Sequence, residues 1–107
     1  MIGKLINYIN SLKILPCDGG YNTAIEKGIF VVDHLRKGTT QYGTGQLIEI
    51  ILVNTENTDG YLKTHDMANK LYDELNKLSY VYSLSKEYKG SYQNKHTYSY
   101  ILKIGGL

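Results

Sequence analysis

The sequence of 107 residues has one cysteine, one proline, one phenylalanine and no tryptophan. A lone thiol, Cys17, cannot close an intramolecular disulfide, and no paired Cys or His spacing near it suggests a zinc site. Assembly in the cytosol is the expected setting. Long apolar runs are also missing: none exceeds the length of Ile50 to Val53, far short of the roughly 20 residues of a membrane span. The start, Met1-Ile2-Gly3-Lys4, lacks the charged region followed by apolar residues that marks a secretory signal. Neither a membrane span nor an export signal is expected. Charge of one sign is scarce as well, with 12 Lys and Arg against 10 Asp and Glu and a net charge of +2. Residues 1 to 53 carry five basic and four acidic side chains, and residues 54 to 107 carry seven and six. A polyanionic partner is not implied by such a balance. The one local excess, Lys86, Lys89, Lys95 and Lys103 around a single Glu87, is the ordinary composition of a solvated strand face. A chain this short has material for one core, so residues 1 to 107 are expected to form a single domain.

What is present is organised by period. Ile2, Leu5, Ile6, Ile9 and Leu12 fall on one helical face, with Lys4, Asn7, Asn10 and Ser11 opposite, and this helix should stop before Pro16. Cys17-Asp18-Gly19-Gly20 has the chemistry of a turn. Gly28 to Asp33 and Gln46 to Asn54 are rich in β-branched residues and predict two paired strands, the first buried on both faces. Between them, His34 to Gly45 is too long for a tight hairpin and too polar for a core, and is read as a projecting arm. Asn57 to Gly60 reads as a turn. Thr64 is placed to cap a second helix with Asp66 in its first turn, and Met67, Ala68, Leu71, Tyr72, Leu75 and Leu78 share one face. Two further strands, Tyr80 to about Lys86 and Tyr92 to about Ile104, are joined through Glu87 to Ser91. The expected fold is α+β: a four-stranded antiparallel sheet, two helices packed on one face in the order α-β-β-α-β-β, and a long arm between the first two strands.

Convergent chemistry is sparse. His34, His65 and His96 sit at element edges without the i, i+4 spacing of a helical metal pair, which favours surface or capping roles. Asp73 and Glu74 are adjacent on a helix, so their carboxylates point about 100° apart and read as a solvated face. Cys17 has an acidic neighbour in Asp18 and no basic one, unfavourable for a nucleophilic thiolate. The stretch from Gly38 to Gly45 lacks both the Gly-Lys-Ser/Thr ending and the following helix of a phosphate cradle. No catalytic residue, metal or cofactor is expected. The compositional oddity is eleven tyrosines. Tyr88, Tyr92, Tyr98 and Tyr100 lie in lysine-bearing strands and cannot all point inward if the strands alternate.

The helix around Leu5 to Leu12, the strands at Ile29 to Val32 and Leu47 to Val53, the polar excursion between them, the helix Met67 to Leu78 with Ala68 to Leu71, and the terminal hairpin together resemble tail terminator proteins of long-tailed bacteriophages, also called tail completion or minor capsid proteins. The resemblance covers nearly the whole chain in architecture. It implies a non-enzymatic virion protein, assembled in the host cytoplasm, that forms a homo-oligomeric, typically hexameric ring on the head-proximal end of the tail tube. Its partners would be the tail tube protein and the head-tail connector, with DNA passing through the lumen without sequence readout. It implies arm contacts at Arg36, Lys37, Gln41 and Tyr42, and a basic rim or lumen at Lys86, Lys89 and Lys95. The alternative is a small nucleic-acid-binding module that stacks bases on a Tyr/Lys-rich sheet, with Tyr98 and Tyr100 in that role.

Overall fold

The computed structural model describes residues 2–20, 27–33, 46–55, 60–92 and 95–105. Their order is α1 (Ile2–Ser11), β1 (Cys17–Gly19), β2 (Gly28–Asp33), β3 (Gln46–Thr55), α2 (Gly60–Leu75), β4 (Val81–Tyr92) and β5 (Lys95–Ile104). The class is α+β, but the sheet has five strands in the order β1-β2-β3-β5-β4. The additional strand is β1, which runs parallel to β2 with Cys17 opposite Ile29. It lies where a turn was expected. Asp18 and Gly19 carry no strand signal of their own, and the three residues are held extended by their neighbour β2 and by α1 (a tertiary override of local propensity). All other pairings are antiparallel.

Two boundaries also shift, whereas α1 stops ahead of Pro16 as expected. The second helix begins at Gly60, so Thr64 is not its cap and Asp66 is not in its first turn. Thr64 is instead buried inside α2, where its hydroxyl accepts a hydrogen bond from Asn54 Nδ2 at 3.0 Å. Glu87 to Ser91, expected to connect the last two strands, continue β4, which runs to Tyr92, and β5 begins at Lys95. Gly90, which looked like a hairpin glycine, has φ of 99° beside an irregularity of register between Tyr88 and Gly90. A positive-φ glycine of this kind accommodates a bulge as readily as a turn. The N-terminal helix ends at Ser11, ahead of Lys13 with φ of 58°.

One core lies between the helices and one face of the sheet. Leu5 and Ile9 of α1, Ala68, Leu71 and Leu75 of α2, and Ile29, Val31, Ile48, Ile50, Leu52, Tyr98, Tyr100, Leu102 and Ile104 of the sheet form a single buried cluster. Because strand side chains alternate between faces, this assigns Phe30, Val32, Leu47, Glu49, Ile51, Val53, Thr97, Ser99 and Ile101 to the opposite face. Both described helices occupy the first face. Ile29, Phe30 and Val31 are all buried, so β2 is enclosed on both sides as its composition suggested.

Candidate assembly surfaces

The two edges of the sheet are built differently. On β1, Pro16 accepts the Ile29 N–H at 2.8 Å and Gly20 donates to the Val31 carbonyl at 2.9 Å. Alternation along a parallel ladder therefore turns the backbone groups of Cys17 and Gly19 outward. They do not face solvent unmet. Asn10 of α1 accepts the Cys17 N–H through Oδ1 at 2.8 Å and donates from Nδ2 to the Cys17 carbonyl at 3.0 Å. Asp18 Oδ1 accepts the Gly19 N–H at 2.8 Å. One amide side chain thus imitates the pairing a further strand would make. Leu5 and Ile9 hold α1 against the core and so fix Asn10 in place.

The far edge, β4, has no strand beyond it among the described residues. It is twelve residues long, with irregularities of register between Val81 and Ser83 and between Tyr88 and Gly90. The stretch from Ser83 to Tyr88 pairs with β5 without interruption. Tyr82 is 62% exposed and Tyr88 38%. Tyr88 packs on Tyr98 with ring centroids 5.0 Å apart, and its hydroxyl lies 3.0 Å from His96 Nδ1.

The expected basic rim is not a set of equivalent free charges. Lys86 is half-buried, donates to Asn69 Oδ1, and lies 5.5 Å and 5.9 Å from the ring centroids of Tyr72 and Tyr98. An ammonium can only donate, which fixes Asn69 Oδ1 towards it and Asn69 Nδ2 towards His65 Nε2, 3.2 Å away. Nε2 then accepts, the ring hydrogen is on Nδ1, and Nδ1 donates to the Tyr98 hydroxyl at 2.9 Å. This chain of four residues pins α2 to β4 and β5. Asn69 is not among the apolar positions that periodicity picks out in this helix, so nothing in the spacing marks it. Lys89 is exposed and paired with Glu87 at 3.1 Å, and Lys95 lies at the start of β5. The three lysines therefore differ in environment. Arg36, Lys37, Gln41 and Tyr42, together with His34 and the arm, lie outside the described residues.

Tyr98 and Tyr100 point into the core, and the Tyr100 hydroxyl donates to the Ala68 carbonyl at 2.8 Å. Burial raises the Tyr100 phenol well above its ordinary range. Neither ring is available to stack a base, so the aromatic platform of the nucleic-acid reading is absent at these two positions. Cys17 is buried, and its thiol is pushed up to about 12 by burial and secondarily by Asp18. Thiolate chemistry is correspondingly suppressed. Glu74 receives a 2.8 Å bond from Lys77, which holds its carboxyl below the usual range, and the Tyr8 hydroxyl from α1 donates to the Glu74 carbonyl and carboxylate at 3.2 and 3.3 Å. This contact ties the helices together and has no nucleophile beside it.

Among the described residues no group of three or more His, Cys, Asp or Glu side chains is placed to hold a metal. No described helix is long and apolar enough to cross a membrane. Asn54 Oδ1 is buried without a hydrogen-bond partner among the described residues. Neither protein-family models, nor curated proteins, nor solved structures match the chain.

Proposed function

We propose that the protein is a structural assembly subunit, and specifically a tail terminator ring subunit of a bacteriophage tail, which caps the head-proximal end of the tail tube and joins it to the head connector. The observation that carries the assembly role is the apolar surface left exposed at Ile101, on the face of the sheet opposite α1 and α2. Phe30, Ile51 and Ser99 form one cross-strand row, and Val32, Glu49 and Ile101 the next. Ile101, at the β5 end of the second row, is 40% exposed. Phe30 and Ser99 are buried on this face, whereas Ile101 and the edge residue Tyr82 are exposed, and exposed apolar groups of this kind suit a subunit that excludes water against a neighbour. The phage setting rests on the order of elements and the polar excursion between β2 and β3.

A ring needs head-to-tail contacts. Joining β4 of one subunit to β1 of the next would require the outward groups of β1, which Asn10 and Asp18 already occupy. Ring neighbours would therefore meet through faces and the arm rather than edge to edge. In this reading DNA passes through the lumen as a polyanion whose sequence is not read. Electron microscopy and native mass spectrometry of the concentrated protein, alone and with tail tubes, test it. Closed rings or capped tubes are expected. A protein that stays monomeric and shifts nucleic acid in a gel at physiological salt would overturn the reading in favour of a binding module.

A further inference from the structure

We infer that among the described residues the sheet offers a single pairing edge, β4, and that its occupant is β4 of a second copy, joined antiparallel about a two-fold axis through Ser85. The inference is independent of the ring reading, because a two-fold contact doubles the chain whether or not rings form.

The backbone sets the first condition. An edge strand presents a row of N–H and C=O groups that a further strand can satisfy, and proteins blunt such edges with bulges, charges or covering groups. At β1 the covering is complete for Cys17 and begins again at Gly19. At β4 no side chain is shown covering the backbone edge among the described residues, the bulges lie at Tyr82 and Lys89, and between them Ser83 to Tyr88 is regular with Lys86 and Glu87 as its charged positions. The usable window is therefore short and central.

Side chains then select the register. Antiparallel edges joined in one continuous sheet place directly opposed residues on the same face, so a symmetric pairing must centre on a residue. Centring on Lys86 opposes Lys86 to its own copy, and centring on Glu87 does the same for a carboxylate, both unfavourable for like charges. Centring on Leu84 keeps only Ser83 to Ser85 of the regular stretch in the ladder, and centring on Tyr88 keeps only Tyr88 itself. Centring on Ser85 avoids all four faults. Ser85 then faces Ser85, Ser83 faces Glu87, and Leu84, half-buried at the rim of the core, faces the aliphatic stem of Lys86. Beyond them Tyr82 approaches Tyr88, covering two exposed aromatic rings.

The helices permit this approach. Contacts of α2 fall mainly on β3 and β5 rather than β4. With strands about 4.8 Å apart, two β4 strands separate the β5 strands of the two copies by about 14 Å, and each α2 lies further back.

Cysteine cross-linking tests the register. Directly opposed residues have Cα atoms about 4.5 to 5.5 Å apart, within disulfide reach. Ser85→Cys should form a covalent dimer under mild oxidation about tenfold faster or more than Asn76→Cys, an exposed site in the turn just after α2. Ser83→Cys and Glu87→Cys should each fail to cross-link alone and should cross-link when mixed. The native Cys17 is buried and supplies a low background. Sedimentation of the unmodified protein should show mass doubling with concentration. The inference is overturned if Ser85→Cys links no faster than Asn76→Cys, if Ser83→Cys links to itself as fast as Ser85→Cys, or if the protein shows no doubling. Rings without doubling would overturn it and leave the ring reading intact, and doubling without rings would do the reverse.

Discussion

The outer sides of β1 and β4 are edges of the same sheet, yet one is closed by a side chain and the other by nothing among the described residues. The short edge has the more thorough closure. Asn10 meets both backbone groups of Cys17 because α1 is packed directly alongside, whereas α2 sits over the middle of the sheet and leaves β4 protruding. Edge protection in this fold is thus a consequence of where the helices dock. An amide on a helix is a suitable plug, since it supplies one donor and one acceptor at the spacing of a peptide group. The long edge carries bulges near its ends and the charges Lys86 and Glu87 within, which together restrict pairing to one register instead of forbidding it.

Changes to the closed edge should have the larger effects. Leu5→Ala removes a fully buried anchor of α1, and a loss of about 2 to 5 kcal/mol is expected in chemical denaturation. With α1 loosened, Asn10 loses its position and the two edges should become alike, seen as association that no longer stops at a dimer. Asn10→Ala leaves the fold but strips the plug from Cys17, with a cost of about 1 to 3 kcal/mol. The same variant should label faster at Cys17 with a thiol reagent. An unchanged labelling rate would mean that Asn10 does not close the edge.

A third expectation comes from pH. The folded thiol of Cys17 is raised to about 12, so between the ordinary thiol value and about 12 the unfolded chain releases a proton that the folded one keeps. Stability should therefore fall as pH rises through that window, and denaturation midpoints for Cys17→Ala should fall less. Equal slopes for the two proteins would show that the β1 thiol is not held away from water. The smallest effect belongs to Glu74→Gln, at the surface bridge from α1 to α2. Because the Glu74 carboxyl is lowered, its contribution is present above the ordinary carboxylate value and is lost as pH falls through the lowered one. The difference between native protein and variant should shrink on acidification, read from thermal midpoints across that range.

Much of this architecture could be read from residue periodicity, and the exceptions have common causes. The apolar spacing from Leu5 to Ile9 and from Ala68 to Leu75 predicted both helices, and the β-branched runs predicted β2 and β3 in their correct antiparallel pairing. Strand β1 was illegible because Asp18 and Gly19 favour turns, and it is held by Asn10 and β2, partners that no local window contains. The boundary of α2 was misplaced because Thr64 has a capping side chain but spends it on Asn54 across the core. Alternation in β5 showed that Tyr98 and Tyr100 share a face without saying that this face meets the helices. The closed edge of β1 was invisible for the same reason as the strand itself, since Asn10 looked like one more polar residue on the solvent side of α1. Lys86 was legible as a charge and illegible as a partner, because its contacts lie on α2 and β5.

Amide hydrogen exchange, followed residue by residue in dilute and in concentrated protein, tests the inequivalence of the two edges most directly. The Cys17 and Gly19 amides should be protected at every concentration. Those amides between Ser83 and Tyr88 that exchange freely in dilute solution should become protected as concentration rises. A freely exchanging Cys17 amide, or a β4 stretch whose exchange ignores concentration, would contradict it.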